Sequence, residues 1–496
     1  MPQAMVLILI LLFGFLVKVP ALPHPLTGYF GSYQIIYAMM ARMMDWHSPA
    51  SLLIPKTFLI INGKPALHLL YYPFASLFAS GFHTLIGGTI DFWGRFQAAF
   101  FTMLSSILIY AISVKLFNRR TALIAAALFT FSPMVLLTGI GFQNEAIGIF
   151  FLLAAYWVLI SGSGLMSALV SGLLFSLALT ARIHFFVCAP AFLLTCLSSR
   201  DFKKIFALIL GMSLPLGAWL AFTYHLNQIS DNVITSSFEQ ASEGRILSLQ
   251  VFKQSKFYLD VLKILGGKWL TPVLFPFLLF SVCSRNLKNL PLIIWILGTL
   301  GLFVLVPEKV INHPFYLLCG VPPACLLIAS FLDRISIRFN RLAWTAFFGL
   351  FFLSSLRYYL SPMLSPERPD FKQIPALGRQ IQNLIPPDQW IIASYGSSPE
   401  LLYYSERFGW PFGVEMNLTP HEGMPLRHKQ AMEAGFGKPI EWLEHLRHEG
   451  AKYLVIGELE AFRRRTDFYH YVQKHYQEML NGGSQLIIFD VNKQIA

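Results

Sequence analysis

The sequence predicts an α-helical polytopic membrane protein with a C-terminal α/β domain, and three observations predict it. Only 13% of the 496 residues are charged and 55% are hydrophobic, against roughly a quarter charged in soluble domains. Apolar runs of about twenty residues recur from the N-terminus to Leu360, each long enough to cross a bilayer as a helix. From Ser361 to Ala496 the composition is charged and mixed. The expected division is a membrane domain over 1–360 and a soluble domain over 361–496.

About eleven spans are expected. The first, Met5–Pro20, lacks the basic start and cleavage site of a signal peptide and is followed by more spans, so it counts as one. The next five fall near Phe96–Leu116, Ala122–Thr138, Ala146–Ser161, Leu165–Thr180 and Phe185–Leu197. The last five fall near Ile205–Phe222, Leu270–Cys283, Leu290–Val306, Phe315–Leu332 and Leu342–Tyr359. Basic residues gather in alternate connections: Lys115/Arg119/Arg120, Arg200/Lys203/Lys204, Arg285/Lys288 and Arg334/Arg338/Arg341. By the positive-inside rule those loops are cytoplasmic. The N-terminus is then inside and the tail domain outside. The net charge of +12 reports these loops rather than a nucleic-acid partner. The five cysteines all lie in apolar runs without metal-ligand spacing, and read as buried packing residues.

The outer side holds the longer connections. Within the segment 24–94, Ile35–Met44 suits an amphipathic helix on the membrane surface. Asn62-Gly63-Lys64-Pro65 is a turn, and Ala66–Phe78 reads as a second surface helix. In the outer loop 225–268, Leu247–Leu265 alternates apolar residues with Lys253, Lys256, Asp260 and Lys263, the pattern of a surface helix or lid. In the tail, strands are expected at Trp390–Ser394, Tyr453–Ile456 and Gln485–Asp490, and helices at Glu400–Arg407, Pro439–Glu449 and Asp467–Leu480. That alternation is a small α/β domain.

One stretch stands out chemically. Gly139-Ile140-Gly141-Phe142-Gln143-Asn144-Glu145 is a polar break between two apolar runs. It sets a carboxylate at the head of a membrane helix, where an acid is expensive unless it faces a hydrated cavity. The helix dipole also favours an acid there, although Asn144 can cap the helix unaided. By parity the turns Ala181-Arg182-Ile183-His184 and Pro307–His313 share its side. One acid and several cations are thus expected at one membrane face.

The ordered set of motifs resembles the GT-C class of membrane glycosyltransferases, in the family-39 branch of protein O-mannosyltransferases and aminoarabinose transferases. Tyr37-Ala38-Met39-Met40-Ala41-Arg42 resembles that branch's Y-A-x-x-A-R helix, and Gly63-Lys64-Pro65 its K-P-P turn. Leu179-Thr180-Ala181-Arg182 resembles its L-T-K element. Lys309–Tyr316, followed by Pro322-Pro323, resembles its K…Y-x-L-P…P element, and Leu402–Trp410 is similar to a stretch of bacterial tail domains. The resemblance implies a GT-C fold in the plasma membrane, the inner membrane of a bacterium. It also implies inverting transfer of a sugar from a polyprenyl-phosphate donor to a lipid, protein or glycan acceptor outside the cytoplasm. One departure stands against it. The acid that the branch carries shortly before the Y-A-x-x-A-R helix is replaced by Tyr33-Gln34.

Such a transfer needs cations for the leaving phosphate and a base for the acceptor. Lys309 and Arg182 are the phosphate candidates, with His313 as a further donor and Arg42 and Lys64 as head-group contacts. Glu145 is the leading acid, with Asp45 or Asp91 as substitutes that would fold back. Some relatives use a divalent metal, but no His/Asp/Glu cluster argues for one here. His24, His47, His68 and His83 are scattered, and each reads as structural. Two other functions are expected to compete. The lost acid suits a non-catalytic carrier-binding relative. A lipid-linked sugar transporter or flippase is disfavoured by the lack of repeat symmetry.

Overall fold

Apolar segments in lipid must pair every backbone group internally, which leaves the helix as the economical solution. In the computed structural model every predicted span holds a helix. The structure describes residues 2–26, 31–197, 201–236, 249–283, 289–335, 341–364, 373–396, 398–414, 438–481 and 485–494. Arg200, Arg285, Lys288 and Arg338 of the basic loops, with Leu247 and Ser248 of the expected lid, lie outside those residues. Among the described residues, four helices are long and apolar enough to cross a membrane, or five if one bent pair is a single span. Five more apolar helices are shorter.

The chain divides into two compact units. The first comprises Met1–His24, Tyr71–Phe222 and Arg245–Ser365 and is helical. Ile90–Leu116 packs on Arg119–Thr130 and on Glu145–Ser161, which in turn packs on Leu165–Ala181. Small residues set one close crossing: a Cβ on Gly172 would stand 2.3 Å from the Leu208 carbonyl oxygen, and one on Gly211 would stand 2.4 Å from that of Leu169. Glycine there lets two backbones touch, the way membrane helices associate without a hydrophobic drive. Several predicted spans are interrupted. Ser132-Pro133 separates Arg119–Thr130 from Pro133–Thr138. Ser255–Trp269 and Thr271–Cys283 meet at a bend of 99°. Trp269 is buried at that bend, and its indole N–H donates to the Leu317 carbonyl at 3.0 Å.

The second unit comprises Pro25–Leu70, Thr223–Gly244 and Pro366–Ala496. It therefore adds two membrane-loop segments to the tail that the composition sets apart at residue 361. Its sheet explains why. The strands are β1 (Lys56–Ile61), β2 (Lys64–Leu69), β3 (Val233–Ser236), β4 (Ile391–Ser394), β5 (Gly409–Phe412), β6 (Tyr453–Ile456), β7 (Tyr476–Asn481) and β8 (Ile487–Gln494). They form one eight-stranded sheet in the order β3-β2-β1-β5-β4-β6-β8-β7. β4 runs parallel to β5 and β6, and β1 joins β5 in parallel. β8 pairs antiparallel with β6 and β7.

Several expectations are corrected here. Ala66–Phe78 is not one surface helix: β2 ends at Leu69, and a helix occupies Phe74–Ile86. Asn62 and Gly63 take φ of 49° and 72°, the two left-handed residues of a tight hairpin, so Lys64 and Pro65 open a strand. The helix Gly31–Met43 does not lie open on a surface. Ile35, Tyr37, Ala38, Met39, Met40 and Ala41 are all buried, packed against β1 and the helix Glu400–Ser405. In the tail, the helix expected over Asp467–Leu480 stops at His475 and β7 begins, because pairing with β8 outcompetes continued helix. Cys283 is exposed, whereas the other four cysteines are buried.

Candidate active site

The polar break is held by side chains of the neighbouring helix. The Arg95 guanidinium donates to the Ile140 carbonyl at 2.7 Å and to the His24 carbonyl at 3.2 Å. The Gln97 amide donates to the Gln143 carbonyl at 3.3 Å. A turn buried at this depth must find partners for its backbone, and polar side chains near the start of Ile90–Leu116 supply them. Lys18 contributes from the first helix. Its ammonium is buried and donates to the Thr102 hydroxyl at 2.8 Å, close against Gly139.

Asn144 does not cap the helix that follows it. Its amide carbonyl accepts from the Ala75 N–H at 3.0 Å, and its amide N–H donates to the Tyr72 and Ala181 carbonyls at 2.7 and 3.4 Å. The side chain is spent on clasping three segments, which corrects the capping expectation. The clasp brings the end of helix Leu165–Ala181 beside the start of Glu145–Ser161. Arg182, the next residue, reaches Glu145.

Glu145 and Arg182 form an ion pair, Arg182 Nη2 to Glu145 Oε1 at 2.5 Å, with side chains 1% and 4% exposed respectively. The guanidinium stands 4.7 Å over the Tyr71 ring and 5.8 Å from that of Phe315. Arginine suits such a place because its planar charge stacks on rings and is weakly hydrated. Lys309 lies on the short helix Pro307–Asn312, and His313 follows that helix. The His313 imidazole is held below its ordinary value of 6.5, first by burial and then by the charges of Arg182 and Lys309. Of the residues singled out in the sequence, Glu145 and Arg182 pair directly in the first unit, and the charges of Arg182 and Lys309 both bear on His313. Asp91 stands in the first turn of Ile90–Leu116, where the dipole favours an acid.

Known proteins share this architecture. Residues 63–224 match the family model of dolichyl-phosphate-mannose-protein mannosyltransferases. No curated protein is matched by the chain. ArnT from Cupriavidus metallidurans bound to undecaprenyl phosphate is similar with a TM-score of 0.66 at 14% identity, over 97% of each chain. Its apo state gives 0.64 at 13%, again over 97% of each. The Archaeoglobus fulgidus oligosaccharyltransferase, in complex with Zn and sulfate, aligns with a TM-score of 0.57 at 12% identity, over 98% of this chain and 73% of that one. The chain has the GT-C membrane glycosyltransferase fold.

The other candidates belong to the second unit of this GT-C chain, where each has a local partner. Arg42 pairs with Glu406 and lies 4.3 Å over the Tyr403 ring. Lys64 pairs with Asp231 at 3.0 Å. Asp45 is exposed, and its carboxylate accepts from the His47 N–H at 2.9 Å. Gln34, at the position where the GT-C resemblance implies an acid, is buried in the helix Gly31–Met43. Among the described residues no three His, Cys, Asp or Glu side chains converge as a metal site.

Reading the sequence alone misses Tyr71, which forms a face for Arg182, and the buried Lys18. Tyr71 lies at the junction of a strand segment and a helix and carries no motif. Lys18 looks like an interfacial lysine at the end of a span, and only the neighbouring Thr102 reveals its burial.

Proposed function

We propose that this protein moves a sugar from a polyprenyl-phosphate carrier to an acceptor on the outer face of the membrane, with inversion at the sugar carbon. The observation that carries the reading is the buried Arg182–Glu145 pair, with the charges of Arg182 and Lys309 both bearing on His313. It occurs in a chain that matches, along nearly its whole length, a protein whose structure holds undecaprenyl phosphate. The basic loops support an inside N-terminus and an outside tail.

In this account Arg182 and Lys309 hold the phosphate, and His313 donates to it. Charge accumulates on the phosphate as the bond to the sugar breaks. Fixed cations in a water-poor site stabilise that charge more than they stabilise the bound donor. Glu145 serves by orienting Arg182, to which it is paired in the buried site. Asp45 and Asp91 are the other carboxylates to test as the acceptor's base. A carrier-binding role without transfer is favoured by one observation: Tyr33-Gln34 stands where the resemblance implies an acid.

The test is sugar transfer by the purified protein in detergent, using undecaprenyl-phosphate-linked sugars and membrane extracts as acceptors. Product formation that falls in Arg182→Ala and Lys309→Ala supports the reading. Transfer at the normal rate in both variants contradicts it. Binding without any product supports the carrier-binding role instead.

A further inference from the structure

His184 follows Arg182 by two residues, in the tight turn Ile183–Cys188. It is 8% exposed. Its ring stacks on Tyr316 with centroids 4.3 Å apart and planes 28° from parallel, and meets Phe185 edge-on at 4.7 Å. The imidazole plane is therefore fixed between aromatic walls. Neither Nδ1 nor Nε2 has a hydrogen-bond partner among the described residues. Stacking alone would be served as well by phenylalanine, without burying two stranded polar atoms at a cost.

The surroundings indicate what those atoms await. Tyr316 is followed back along the chain by Phe315, their rings 5.4 Å apart, and Phe315 also faces the Arg182 guanidinium. His184 and Arg182 thus share one aromatic floor. A neutral imidazole donates from one nitrogen and accepts at the other. A phosphate offers acceptors and leaves the second nitrogen unserved. A sugar hydroxyl both donates and accepts, and a sugar bears several.

We propose that His184 hydrogen-bonds the sugar carried on the lipid phosphate and is a sugar-recognising residue of this site. The proposal rests on the reading of Arg182, Lys309 and His313 as the phosphate-binding group. The probes are undecaprenyl phosphate itself and undecaprenyl phosphates carrying mannose, glucose, galactose or aminoarabinose. Each is titrated into the full-length protein in detergent, and the sugar bound most tightly is pursued. His184→Phe keeps the stack on Tyr316 and removes both nitrogens, while His184→Asn retains one donor and one acceptor. The expected result is a loss of about tenfold or more in affinity for the sugar-bearing lipid with His184→Phe, a smaller loss with His184→Asn, and unchanged affinity for undecaprenyl phosphate. Equal weakening for both lipids would mean that His184 only shapes the pocket, and would overturn the proposal. No weakening for either would overturn it too. If wild-type protein binds neither lipid, the phosphate reading falls first and takes this one with it.

Discussion

Replacing Glu145 with glutamine removes one charge from a pair that is almost wholly buried. Its partner Arg182 is 4% exposed, so the guanidinium that stays behind cannot turn to water. Breaking a buried ion pair from one side typically costs about 3–5 kcal/mol. Glutamine still offers an oxygen to Arg182, so E145Q is expected at the lower end of that range and E145A at the upper. Removing both partners, as in E145Q with R182M, relieves the stranded charge and is expected to recover much of the stability. Thermal unfolding in detergent reads this first quantity. Undecaprenyl phosphate titration reads the second, because a misplaced guanidinium weakens phosphate binding as well as the fold. In the double-mutant cycle the two substitutions should couple strongly on both readouts. Additive effects, or an E145Q protein with unchanged stability and phosphate affinity, would refute the idea that Glu145 works through Arg182. Sugar transfer at the normal rate in E145Q and also in variants of Asp45 and Asp91 would remove all three acids from the mechanism.

Gly172→Leu forces a side chain into the 2.3 Å approach to the Leu208 carbonyl. It should sharply lower the yield of folded protein on size-exclusion chromatography, whereas Gly217→Leu, with nothing within 4 Å, should not. His313 favours its neutral form in the fold, so the unfolded chain takes up its proton first as pH falls below about 6.5. Wild-type protein should therefore lose more stability than H313Q between about pH 7 and pH 5, and parallel melting curves would contradict this. Arg42→Ala breaks a half-exposed pair with Glu406 and should cost no more than about 1 kcal/mol. It should loosen the second unit to proteolysis and leave undecaprenyl phosphate affinity unchanged; a large affinity loss would return Arg42 to the phosphate.

The helices within the expected spans were legible because lipid permits few backbone solutions, although among the described residues only four, or five with one bent pair, are long and apolar enough to cross a membrane. The meeting of Glu145 and Arg182 was half legible. Loop parity expects them on one face, but the Asn144 clasp that joins their helices rests on an amide whose reach no spacing rule predicts. The sheet was least legible. Phe58-Leu59-Ile60-Ile61 before Asn62-Gly63 is a hairpin signal in hindsight. Set among apolar helices, those four apolar residues single out no element by period alone. β1 is tied to a tail some 350 residues later, since Leu59 pairs with Gly409, and no local pattern carries such a partner. Arg42 shows the same lesson at a single residue: its motif suggests a lipid head group, and tertiary packing gives it Glu406 and Tyr403 instead.

One carrier phosphate is predicted to rest on Arg182, Lys309 and His313. The most direct measurement is a structure of the full-length protein with undecaprenyl phosphate bound. The phosphate is predicted within hydrogen-bonding distance of the Arg182 guanidinium and the Lys309 ammonium, with Glu145 still paired to Arg182. A phosphate bound elsewhere, with those two side chains unchanged, would contradict the account.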